Sequence, residues 1–223
     1  MSYVLHYAPD NASLVIRLAL DTVSAPFETR LVDRASRAQD SAAYRTLNPN
    51  GLIPTLETPD GPLFETSAIL LYLSEQHTGL MPEAGPARAA ALKWLIWLGN
   101  TLHPSQRMMF YPHLYTSGDI EDVRAPTRTR IAHLLQLLVH AQDADWLEAA
   151  PNAPGCYLAP LLRWCTLYGG KNWFDLAAYP RLMDFAARMQ DTPAAQKAIA
   201  AEGLGPDPFT APRAPNPPEG TAV

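Results

Sequence analysis

Two stretches of this chain combine residue types able to hold a small zwitterionic peptide. The first is Asn48-Pro49-Asn50-Gly51-Leu52-Ile53-Pro54-Thr55-Leu56. A proline at the start of a strand brings no N–H and can adopt the cis form, which turns the backbone so that the preceding residue presents its own N–H and C=O outwards. Ile53 is thereby placed to pair through its main chain with a peptide-like ligand. The second is Glu65-Thr66-Ser67-Ala68-Ile69, where a hydroxyl residue opens an apolar run and starts a helix. Free N–H groups and the helix dipole attract a carboxylate there, so Thr66 can hold that group while Glu65 holds a neighbouring ammonium. Taken singly, Pro54 need only end a loop and Thr66 need only cap a helix; together they point to a ligand. A third polar group, His6-Tyr7-Ala8-Pro9-Asp10-Asn11-Ala12-Ser13-Leu14, lies where a strand gives way to a helix.

The elements that position these stretches follow from hydrophobic period. Tyr3 to Tyr7 reads as a strand, Ser13 to Val23 as an apolar-periodic helix and Phe27 to Val32 as a second strand. A short helix over Ser41 to Leu47 precedes strands over Ile53 to Glu57 and Pro62 to Phe64, joined by the Pro59-Asp60-Gly61 turn, and a helix begins at Thr66. The order is β-α-β-α-β-β-α over residues 1–80, followed by a proline-bearing linker at 81–86. Residues 87–203 read as helices only: Ala87 to Met109, interrupted or bent by Pro104, then Glu121 to Leu147, Cys156 to Tyr168, Tyr179 to Met189 and Pro193 to Ala201. Leu134, Leu137, Leu138 and Ala141 form one stripe of the second of these helices. The segment 204–223 holds six prolines and little apolar content, so it reads as an extended or disordered tail whose loss changes stability little.

Composition narrows the function. With 48% apolar and 17% charged residues, the chain is that of a compact globular protein. Seventeen basic against twenty-two acidic side chains give a formal charge of −5, which speaks against nucleic acid and anionic membranes as partners. Cys156 and Cys165 are the two cysteines, and nine residues apart on a helix they point to opposite faces, so a reduced, cytoplasmic protein is expected. No secretion signal or membrane span is expected. No phosphate-cradling glycine loop, no His-Glu-x-x-His and no Gly-x-Ser-x-Gly occurs. His133 and His140 have no partner at metal-ligand spacing, so no metal is expected.

The two ligand stretches, their spacing and the two-domain layout resemble the cytosolic glutathione transferases over roughly residues 3 to 201. The resemblance implies a thioredoxin-like N-terminal domain, an all-helical C-terminal domain, glutathione as co-substrate and a homodimer. It implies glutathione-binding roles for Asn50, Ile53, Pro54, Glu65 and Thr66, with Glu65 and Thr66 on the γ-glutamyl end. The strand-turn-helix junction looks like that of the bacterial beta-type enzymes, which carry Cys-Ser where this chain has Ala12-Ser13. Ala12 removes the thiol that mixed-disulfide chemistry would need. Ser13 remains as a hydroxyl that can donate to a glutathione thiolate at a helix N-terminus, with Tyr7 and Asn11 as competing donors. Lowering a thiol by about two pKa units asks such a donor set for about 2.7 kcal/mol.

In beta-type enzymes a histidine at the point matching His103 faces the cleft, so His103 is a candidate for proton handling or for contact with the electrophile. Arg107, Phe110, Tyr111 and Tyr115 could form an aromatic wall with one cation for the second substrate. Asn152 can cap the helix that the family opens with a hydroxyl and an Asp three residues later, here replaced by Gly155. The expected activity is attack of the glutathione thiolate on an electrophilic aromatic or conjugated small molecule. The alternatives are a non-catalytic binding or regulatory protein, or a glutathione-dependent lyase or reductase.

Overall fold

The structure, a computed structural model, describes residues 2–149 and 151–222. The expected domain limits at Met1 and Val223 lie outside the described residues. The N-terminal unit contains β1 (Tyr3–Tyr7), α1 (Ser13–Thr22), β2 (Phe27–Leu31), α2 (Ala42–Leu47), β3 (Thr55–Thr58), β4 (Gly61–Phe64) and α3 (Thr66–Gln76). The sheet order is β2-β1-β3-β4, with β1 and β2 parallel and the other two pairs antiparallel. The parallel pair requires a crossover, which α1 supplies, and the tight Pro59-Asp60 connection suffices for the hairpin β3–β4. This is the thioredoxin-like arrangement.

Helix α1 explains how the halves join. Every residue from Ser13 to Leu20 is buried, because α1 lies between β1 and the helices of the second domain. A helix apolar on one face suits a surface; one buried all round needs partners for its polar groups. Arg17, inside that span, finds Glu202 at 2.7 Å.

The C-terminal unit is helical among the described residues: α4 (Pro86–Trp97), α5 (His103–Phe110), α6 (Glu121–Val139), α7 (Ala153–Leu167), α8 (Pro180–Gln190) and α9 (Pro193–Glu202). A π-helical turn, Leu98–Leu102, joins α4 to α5. Pro104 cannot donate to the preceding turn, and the extra residue in that turn lets the helix continue with Pro104 in its first turn. Asn152 caps α7, its Oδ1 accepting from the Gly155 N–H at 2.9 Å. Helix α6 ends at Val139 rather than at Leu147, because Asp145–Leu147 forms a separate short 3₁₀ turn. Its buried face comprises Ile131, Leu134, Leu135 and Leu138, whereas Leu137 is exposed, which corrects the expected stripe.

The largest correction concerns residues 204–222. The segment has no regular structure, but it is packed: Leu204 and Phe209 are fully buried. After α9 the chain turns at Gly203 (φ 62°), where Asn216 returns its N–H to the Gly203 carbonyl at 2.8 Å. Two apolar anchors and a set of main-chain bonds outweigh the proline-rich composition from which a loose tail was expected.

Candidate active site

A cleft of about 550 Å³ opens between the two units. Its N-terminal wall is built from the loop before β3 and the start of α3. Asn48 is buried, donates from Nδ2 to the Leu52 carbonyl at 2.7 Å and accepts from the Asn50 N–H at 3.1 Å. Tyr44 donates to the same Leu52 carbonyl at 2.8 Å and meets Thr55 Oγ1 at 3.0 Å. Gly51 sits at φ 63° with its α-carbon face against the Gln39 carbonyl, a position that suits only glycine. These contacts fix the loop that delivers Ile53 and Pro54 to the cleft, with the Ile53–Pro54 bond cis.

Glu65 and Thr66 also line the cleft. Glu65 precedes α3 at φ 71° and makes no side-chain cap bond, so the helix is not closed by a hydroxyl cap as the sequence suggested. Thr66 is instead the first helical residue, and across the cleft the Tyr157 hydroxyl lies 2.9 Å from His103 Nδ1. Burial, helped by the nearby Arg107, pushes the His103 pKa down to about 4, so the ring is neutral at physiological pH.

The strand-to-helix junction departs from expectation. Ser13 does not line the cleft: it is fully buried, and its hydroxyl donates to the Ala8 carbonyl at 3.0 Å and accepts from the Ala8 N–H at 3.3 Å. Tyr7 is buried too, with its hydroxyl donating to Glu219, and burial followed by that carboxylate pushes its pKa up. Asn11, with Ala12, is the junction donor that faces the cleft. The reason is the turn itself. Asp10 has φ 51°, and its fully buried carboxylate accepts from Arg163, from Trp164 Nε1 at 2.8 Å and from Tyr168 at 2.9 Å. The turn is thus held by Arg163 and Trp164 of α7, by Tyr168 just beyond it and by Glu202 of α9, which accepts from the Asp10 N–H at 2.8 Å, and it leaves Asn11 outermost.

On the opposite wall, His103, Arg107, Phe110 and Tyr111 line the cleft, and the Arg107 guanidinium lies 5.7 Å from the Tyr111 ring centre. Tyr115 is half exposed and lies outside it, as does Asn50. Residues that sequence reasoning missed include Arg34, Asn48, Trp164, Tyr168 and Ala222. Asn48 stood inside the quoted stretch and its type, a turn-former able to bond its own main chain, was the available signal.

Residues 2–75 match the family described as "Glutathione S-transferase, N-terminal domain". Glutathione S-transferase GST-4.5 of Xanthomonas campestris is 30% identical over 207 residues, covering 90% of this chain and 98% of that protein. This chain belongs to the glutathione S-transferase family. The disulfide-bond oxidoreductase YfcG of Escherichia coli is 26% identical over 90% of this chain and 96% of its own length. The solved sphingomonad glutathione S-transferase, complexed with glutathione, is 30% identical, has a TM-score of 0.73 and covers 91% of this chain and all of that one.

This glutathione S-transferase homologue has no exposed protein thiol. Cys156 and Cys165 are both buried, and burial pushes each thiol up to about 12. Among the described residues no cluster of His, Cys, Asp and Glu could hold a metal ion, and no helix is long and apolar enough to cross a membrane.

Proposed function

We propose that the protein activates glutathione as a thiolate for attack on an electrophilic aromatic or conjugated small molecule. The observation that carries this reading is convergence: both ligand stretches and the helical wall meet in one cleft. The Ile53 main chain pairs with the cysteinyl unit. Glu65 takes the γ-glutamyl ammonium, and Thr66 with the first N–H groups of α3 takes the adjacent carboxylate. The sulfur then lies near the start of α1, where Asn11 is the donor facing the cleft. Asn11 therefore replaces Ser13 as the group that stabilises the thiolate.

A two-unit fall from a free thiol pKa of about 8.5 corresponds to about 2.7 kcal/mol. One hydrogen bond to a charged acceptor supplies about 1.5–3 kcal/mol, and a helix N-terminus about 0.3–1 kcal/mol. The two together reach the requirement. In this reading Tyr157 donates to His103 Nδ1, so that the neutral ring offers Nε2–H to the electrophile or its leaving group, while Phe110, Tyr111 and Arg107 bind its aromatic and anionic parts. The sulfur–carbon bond forms as the leaving group departs with its electron pair, and the thiol proton is released to solvent. The expected assembly is a homodimer working in the cytoplasm.

Incubation with glutathione and an activated aryl halide tests this reading. The expected products are the glutathione thioether and halide in equal amounts. Formation of glutathione disulfide in place of the thioether would instead identify a reductase. Thioether formation lost in Asn11→Ala but kept in Ser13→Ala would support the donor assignment; the reverse would restore Ser13.

A further inference from the structure

The end of the described chain returns to the site. Beyond the Gly203–Asn216 closure, residues 217–222 run back to the N-terminal unit. Glu219 accepts from the Tyr7 hydroxyl, and Gly220 (φ 70°) packs so closely that a β-carbon there would lie 2.6 Å from the Leu31 side chain. The Ala222 carbonyl then accepts from Asn11 Nδ2 at 3.1 Å and from an Arg34 guanidinium nitrogen at 2.8 Å. Ala222, Asn11 and Arg34 all line the cleft.

The path is held by one guanidinium. Arg163 is fully buried and carries five N–H donors, a number its contacts match. Two reach the Asp10 carboxylate at 2.8 and 3.1 Å, and the others reach the carbonyls of Leu204 (3.2 Å), Pro208 (3.1 Å) and Arg213 (2.9 Å). The residue that sets the turn bearing Asn11 thus also sets the chain that comes back to Asn11.

We propose that residues 217–222 form a strap that orients the Asn11 amide, making the strap a positioning element for the sulfur end of the site. The chemistry is directional. Ala222 offers a carbonyl, so only the nitrogen end of the amide can face it, and one of the two Nδ2 hydrogens is used there. The other remains for the cleft, and the acceptor end of the amide is turned away from an incoming thiolate. An unrestrained Asn side chain samples three χ1 wells and about two χ2 orientations. Fixing one of about six states favours the donating geometry by up to about sixfold, a little under one pKa unit of the bound thiol. The inference rests on the reading of Asn11 as the sulfur donor.

The test uses full-length variants and two readouts: affinity for S-methylglutathione by calorimetry, and the pKa of bound glutathione from thiolate ultraviolet absorbance. Gly220→Val drives a side chain into Leu31 and lifts the strap, and Glu219→Ala releases it from Tyr7 by an exposed substitution. Both are expected to raise the bound thiol pKa, by up to about 0.8 unit for Gly220→Val, while S-methylglutathione affinity stays within about twofold. Asn11→Ala should raise it further, and adding Gly220→Val to Asn11→Ala should raise it no more. If Asn11→Ala raises the thiol pKa but neither strap variant does, or if the double variant is additive, the strap does not act through Asn11 and the inference fails. If Asn11→Ala leaves the thiol pKa unchanged, the donor assignment itself falls and the strap's role with it.

Discussion

Replacing Arg163 by Met is a severe change made at a distance from the ligand stretches. The Met side chain retains the packing volume but none of the five hydrogen bonds. Asp10 keeps Trp164 and Tyr168 as neutral donors, yet its buried charge loses its only cationic partner among the described contacts. Removing one member of a buried ion pair costs about 3–5 kcal/mol, because the remaining charge stays desolvated. The carbonyls of Leu204 and Pro208 lose their donor as well, though Arg213 is exposed and its carbonyl can turn to water. A loss of about 4 kcal/mol is expected in urea unfolding. At roughly 2–4 °C per kcal/mol for a chain of this size, Tm should fall by about 10 °C. Pairing the change with Asp10→Asn should cost less than the sum of the two singles, since no unpaired charge remains. A loss under about 1 kcal/mol, or strict additivity with Asp10→Asn, would refute the view that this pair anchors the turn and the C-terminal segment.

Three further outcomes follow from the same contacts. Burial pushes the Glu202 pKa up to about 7, against the pull of Arg17, so its protonated form favours the folded state; that contribution is complete below about pH 4.5 and is lost as pH rises through about 7. Wild-type stability should therefore fall by about 1–3 kcal/mol across that window in urea titrations, with Glu202→Gln showing a flatter profile. Neutral His103 should place no ionisation above pH 5 in the rate profile: activity rises with pH through the bound thiol pKa alone, and His103→Gln leaves that pKa in place while weakening use of the second substrate. Substituting Phe209 by Ala should cost about 3–5 kcal/mol by denaturant unfolding, as for any fully buried aromatic, whereas a loose tail would show no change.

What could be read from the chain depended on how local its cause was. The strand Tyr3–Tyr7, the interruption at Pro104 and the stretches around Pro54 and Thr66 are properties of neighbouring residues, and the structure keeps them in place. Ser13 is the instructive failure. Its type and its place at a helix start suggested a donor facing the ligand, but the turn before it takes its shape from Asp10, which answers to Arg163 some 150 residues away. The packed C-terminal segment failed for the same reason: proline content argues for looseness, while Leu204 and Phe209 belong to a core that only the folded helices create. Arg34 and Trp164 joined the site through distant pairings that leave no local pattern.

The most direct measurement is calorimetric titration of the reduced, full-length protein with glutathione and with S-methylglutathione, repeated on Glu65→Ala. Saturable binding of both ligands by the wild type, weakened at least tenfold for both by Glu65→Ala, is the expected result, corresponding to at least about 1.4 kcal/mol from the ammonium contact. Folded wild-type protein that binds neither ligand, or a Glu65→Ala variant that binds both unchanged, would contradict the assignment of this cleft to glutathione.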